Sequence, residues 1–254
     1  MCYEFDALPP IPAIAGAAVD SEDLVLTSDD GTQFAAFVAR AEEPGGAGIV
    51  VLPDVRGLFR FYEELALRFA ENGISAVTID YFGRTAGVSK RDAEFEYMEH
   101  VRQTKADQIA DDVAAAVAYL RTPEGGACRS VFTVGFCFGG SNSWLQAANE
   151  HDLAGAIGFY GRPGPSFADG SPGPADRARE MTAPILGLMG GADQGIPQSD
   201  VDMYRDALEK AGVEHEIVVY DGAPHSFFDR KQEEFAEQSA DAWQRVLEFI
   251  RRNS

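Results

Sequence analysis

Six short apolar runs without polar alternation constrain this chain most: Ile49–Leu52, Ile74–Ile79, Val131–Val134, Ala156–Tyr160, Ile185–Met189 and Ile217–Tyr220. A strand with one face in water alternates apolar and polar residues, whereas a continuous run marks a strand covered on both faces. Between the runs lie stripes at helical spacing. Phe61, Leu65 and Phe69 share one face, as do Ile109, Val113, Val117 and Leu120. Val201, Tyr204, Leu208 and Ala211 make a third stripe, and Trp243, Val246, Leu247 and Ile250 a fourth. Strands alternating with amphipathic helices predict an α/β fold, with a mostly parallel central sheet and helices on both faces.

Upstream of this rhythm, Leu24–Thr27 and Gln33–Arg40 flank "SDDG", which reads as a hairpin with Asp-Gly turn chemistry. The first 20 residues, rich in Pro and Ala, are expected to form an arm lying on the domain. No linker or repeat splits the rest, so residues 1–254 are expected to make one domain. One stretch, Arg84–Thr104, breaks the pattern with charge and aromatics, and follows a strand on the side where open α/β sheets place their sites. It reads either as a partial cap over a pocket or as a long surface connection.

A formal net charge of −20 repels phosphate backbones and anionic lipid, which argues against nucleic-acid and membrane partners. No apolar stretch approaches the roughly 20 residues of a membrane span. The first residues carry acids and prolines rather than a basic region and an apolar core, so the sequence reads as cytoplasmic. The three cysteines, Cys2, Cys128 and Cys137, include no CxxC pair, and the four histidines are scattered, so neither a disulfide framework nor a metal site is expected. Oligomeric state is not legible.

The chemistry concentrates in "VGFCFGG", residues 134–140. Val131–Val134 is a strand, and Ser141–Glu150 has the composition of a helix. Gly135-Phe136-Cys137-Phe138-Gly139 is then a strand–turn–helix of the Gly-x-nucleophile-x-Gly kind. Its glycines let strand and helix approach, and the helix N-terminus favours thiolate at Cys137. The alternative is a buried structural thiol packed as a small hydrophobe.

A nucleophile of this kind needs a base, and the base an orienting acid, on loops after successive later strands. His225 follows Ile217–Tyr220 through "DGAPH", and Asp193 follows Ile185–Met189 in "GGADQGIP". His100, His151 and His215 sit in an acidic stretch, at a helix end and at a strand entry. The expected triad is Cys137–Asp193–His225. The expected oxyanion donors are the N–H groups of Phe138 and, from the loop "LPDVRGLFR", Val55.

With these residues in place, the sequence resembles the dienelactone hydrolase (carboxymethylenebutenolidase) family of the α/β-hydrolase superfamily. The likeness runs from about Ala47 to the C-terminus, on "GFCFGG", "MGGADQGIP" and "GAPHSFF", supported by "GFYG" and "IDYFGR". It implies an α/β-hydrolase fold and hydrolysis of a small-molecule lactone or ester without metal or cofactor. It implies that a carboxylate on the oxyanion loop contacts the thiol; Asp54 stands there where the family usually has Glu, one methylene shorter, and the alternative is that it caps the next helix or pairs with Arg56. It also implies two arginines on a substrate carboxylate, Arg84 in "YFGR" and Arg230, one place late with Asp229 before it, and a substrate-facing Tyr160. The competing expectations are a broad-range carboxylesterase with the same triad, a redox-responsive Cys137 protein, and a non-catalytic protein of the same fold.

Overall fold

A computed structural model describes residues 7–15, 19–43, 45–229 and 231–254. Eight strands form one sheet: β1 (Asp20–Thr27), β2 (Gln33–Arg40), β3 (Ala47–Leu52), β4 (Ser75–Ile79), β5 (Ser130–Phe136), β6 (Gly155–Phe159), β7 (Ile185–Gly190) and β8 (His215–Tyr220). Their order is β1-β2-β4-β3-β5-β6-β7-β8. The β1–β2 hairpin and the β2–β4 pair are antiparallel, and every pair from β4 to β8 is parallel. The six apolar runs coincide with β3 to β8. Asp20–Arg40 forms the expected hairpin, extended at its start by four residues.

Strand residues divide by parity between two cores. Ala35, Phe37, Ile49, Val51, Phe132 and Val134 face α1 (Arg60–Glu71) and the C-terminal helix, while Phe34, Ala36, Val50, Leu52 and Val131 face Ile109, Val113 and Leu120 on the far side. The shorter helices α2 (Gly83–Ala86) and α3 (Tyr97–Val101) precede α4 (Ala106–Arg121), which carries that second stripe. α5 (Phe138–Gln146) follows β5, α6 (Gln198–Ala211) follows β7, and α7 (Ala236–Asn253) closes the chain. Phe69 of α1 meets Trp243 of α7 with ring centroids 4.8 Å apart. Each such fully buried side chain contributes about 1.5–3 kcal/mol, and the sheet is thereby fixed as a rigid platform. No helix among the described residues is long and apolar enough to cross a membrane.

The helix after the thiol differs from expectation. It starts at Phe138, directly after Cys137, rather than at Ser141, and ends at Gln146. The turn is therefore a single residue wide.

The segment 84–104 is fastened beside the loop after β3. Arg91, almost fully buried, bonds Asp80 through Nη2 at 2.8 Å and lies 4.8 Å from the Phe95 ring centroid. Its N–H donates to Leu58 O, and Asp80 Oδ1 accepts the Leu58 N–H at 3.0 Å. The segment braces that loop.

Candidate active site

The C-terminal ends of β3, β5, β6, β7 and β8 converge on one edge, where open α/β sheets place their ligands. At the end of β5, Cys137 has φ 55° and ψ −112°. A side-chain-bearing residue in this region costs about 1–3 kcal/mol, and the surrounding contacts impose it. The Cys137 N–H donates to Phe159 O, and the Cys137 carbonyl accepts from the Gly140 and Ser141 N–H groups as the helix begins. A Cβ on Gly135 would stand 1.9 Å from Gly139 O, and one on Gly139 2.1 Å from Leu52 O. Glycine is therefore required at both positions, because the turn touches itself and the end of β3.

That contact brings the loop 53–59 against the thiol turn. Pairing of Leu52 with Gly135 sets the register, and Tyr81 Oη donates to Pro53 O at 2.7 Å. Burial pushes the Tyr81 phenol well above its ordinary value, with the charges of Asp54, Asp80 and Cys137 adding to the effect. Tyr81 thus stays a donor and ties the loop in place beside Cys137. Among the described residues neither Phe138 N–H nor Val55 N–H is engaged in a backbone hydrogen bond.

Two other loops are joined in the same way. Continuing the β7–β8 pairing, Gly191 N–H donates to Tyr220 O and Ala192 N–H to Ala223 O. This alignment sets His225 Nδ1 2.6 Å from Asp193 Oδ2. Asp193 is nearly buried, and its Oδ1 accepts the Gly195 N–H at 2.8 Å. A carboxylate can only accept, so Nδ1 carries the proton and the ring's basic lone pair lies on Nε2. Tyr160, at φ 37°, packs its ring 4.9 Å from that of His225 and donates to Asp229 Oδ2 at 2.7 Å. Under the site, Phe136, Phe159 and Phe228 form a buried aromatic floor, with centroids 4.6–5.8 Å apart.

Cys137, Phe138, Tyr160 and His225 all line one cavity of about 180 Å³. Among the described residues the Cys137 sulfur is in no hydrogen bond, to His225 or to Asp54. The cavity's far wall comes from 162–174, with Gly164, Pro165, Phe167 and Pro174, and from Leu145 and Ile196. Among the described residues, none of 84–104 lines it.

Two expectations do not hold. Arg84 is absent from the cavity lining; its Nη1 reaches both oxygens of Asp112 at 2.9 and 2.8 Å, and its Nε reaches Asp30 at 3.0 Å. Asp112 is buried and also accepts from Ser28 Oγ, so it commits the guanidinium to the interior of the fold. Asp54 is fully buried, but its carboxylate closes on Arg56, accepting from the backbone N–H at 2.9 Å and from Nη2 at 3.0 Å. One methylene shorter than Glu, it is captured by the arginine two residues along. Arg230 lies outside the described residues. The sequence reading missed Arg162, whose exposed side chain lines the cavity and whose backbone is clamped to Ser141 Oγ.

Over residues 34–254 the sequence matches the dienelactone hydrolase family. The chain belongs to that family. Among relatives of the dienelactone hydrolase type, a Methylorubrum extorquens protein provisionally named carboxymethylenebutenolidase is 30% identical over 96% of this chain and 87% of its own. One from Salmonella typhimurium, similarly named, is 32% identical over 91% and 87%. A provisionally named dienelactone hydrolase from Klebsiella pneumoniae superposes with a TM-score of 0.80 at 29% identity, covering 92% of this chain and 98% of that one. A dienelactone hydrolase-like promiscuous phosphotriesterase from metagenomic libraries shares the fold, with a TM-score of 0.77 at 20% identity over 94% and 99%.

Proposed function

We propose that this chain hydrolyses a lactone or carboxylic ester through Cys137, His225 and Asp193. The observation that carries the reading is the opening of a strained Cys137 turn and of the Asp193-held His225 ring onto the same cavity. In this mechanism, rotation about the Cys137 Cα–Cβ bond brings the sulfur to His225 Nε2, which takes the thiol proton. The thiolate attacks the substrate carbonyl, and the oxyanion that forms is met by the Phe138 and Val55 N–H groups. Collapse expels the alkoxide, protonated by the imidazolium, and leaves a thioester on Cys137. His225 then takes a proton from water, the hydroxide attacks the thioester, and the acid departs as the thiolate returns.

Within this reaction class, the engagement of Arg84 by Asp112 and Asp30 favours a neutral ester over one whose carboxylate is gripped by that arginine. Cys137→Ala is the test. It is expected to lower kcat on an activated ester by about 10⁴-fold or more with thermal stability retained. Turnover at the wild-type rate in that variant contradicts the reading.

A further inference from the structure

We infer that Phe167 is a specificity-determining residue, which holds an apolar group about the size of a benzene ring in the ester this site takes; the inference rests on the hydrolase reading above. Phe167 stands 49% exposed on the segment after β6, although most of the chain's phenylalanines are buried. Its ring lies 5.6 Å from that of Phe138 at an interplanar angle of 63°, an edge-to-face contact beside the turn that carries Cys137. Leu145 and Ile196, both nearly buried, stand among the other walls of the same cavity.

The loop holds Phe167 out by its own bonding. Ser166 N–H donates to Ser171 O and Gly170 N–H to Ser166 O, both at 2.9 Å. The Asp169 carboxylate accepts from Ser171 N–H and Oγ at 3.1 and 2.7 Å. The turn is closed without Phe167, which leaves its ring as apolar surface that a ligand can take out of water.

Several polar atoms of the lining are already used within the protein, the exposed Arg162 guanidinium at the far wall being the exception. Ser141 Oγ both donates to Arg162 O and accepts from Arg162 N–H, Asn142 Nδ2 donates to Phe138 O, and Tyr160 Oη donates to Asp229. What they leave for a substrate beside the thiol is chiefly apolar. The volume, about 180 Å³, compares with the engineered apolar cavity of about 150 Å³ that binds benzene. One phenyl-sized group fills it.

The test compares phenyl acetate with vinyl acetate, taking the ratio of variant to wild type for each ester so that intrinsic reactivity cancels. Phe167→Ala is expected to raise KM for phenyl acetate about tenfold with kcat within about twofold, and to leave KM for vinyl acetate within about twofold. Phe167→Leu, which keeps an apolar side chain, is expected to return KM for phenyl acetate to within about threefold of wild type. Equal fractional changes on the two esters, or none on phenyl acetate, overturn the inference while leaving the hydrolase reading standing. If wild type hydrolyses neither ester, the hydrolase reading fails for simple acetates, and saturation-transfer NMR of phenyl acetate on Cys137→Ala protein still decides the contact. Saturation of the phenyl protons is expected to fall when Phe167→Ala is added; undiminished transfer overturns it.

Discussion

His225 Nδ1 sits 2.6 Å from the nearly buried Oδ2 of Asp193, and the Gly195 N–H holds the other oxygen of that carboxylate. The acid is therefore fixed from both sides before the ring meets it. Asp193→Asn preserves shape but offers an amide that can donate, which permits the wrong tautomer of His225. The expected outcome is a fall in kcat of about 10³-fold or more on an activated ester, with little change in KM. Steady-state kinetics checks it.

The close approach of Gly139 to the end of β3 makes a second prediction. A methyl group there meets Leu52 O and Pro53 O at 2.1 and 2.3 Å, both rigid backbone atoms. Gly139→Ala must push the helix start away from the loop that carries Val55. The expected cost is about 1–3 kcal/mol of stability, with kcat down about 100-fold as the two N–H groups lose their common aim. Denaturant unfolding and kinetics on the same sample check both halves.

Arg84 separates the fold from the site. Burial pushes the Asp112 carboxyl up, against the opposing pull of Arg84 and Ser28. Arg84→Met removes the main opposing group and leaves a buried carboxylate, at a cost of about 3 kcal/mol near pH 8. With its folded pKa further above the unfolded value, Asp112 destabilises the fold as pH rises through that window, and protonation relieves the cost as pH falls toward the unfolded value. The gap in Tm between variant and wild type is thus expected to be smaller at pH 5 than at pH 8. KM for esters is expected to stay within about twofold, because the side chain does not line the cavity.

These residues also show how far the sequence could be read. The turn at Cys137 was legible because its signal is local: an apolar run, two glycines at fixed offsets and a helix. Asp193 and His225 were legible from chain order, since parallel strands deliver successive loops to one edge. The capture of Asp54 by Arg56 is local as well, and hinged on a single methylene. Arg84 was misplaced because its partner Asp112 lies 28 residues away on α4, where it reads as an ordinary polar position on an amphipathic helix. The wall 162–174 left no mark in the pattern, since its Pro, Gly and Ser residues have no periodicity and their role comes only from where β6 ends.

In the proposed mechanism everything turns on the Cys137 sulfur carrying the acyl group. His225→Asn enzyme at pH 9, where a free thiol is substantially ionised, is pulsed with p-nitrophenyl acetate, quenched in acid and mapped by peptide mass spectrometry. One acetyl group is expected on the Cys137 peptide, released by hydroxylamine and absent when Cys137→Ala is added. Release of nitrophenol with Cys137 unmodified, or acetylation that persists in the double variant at another residue, contradicts that mechanism.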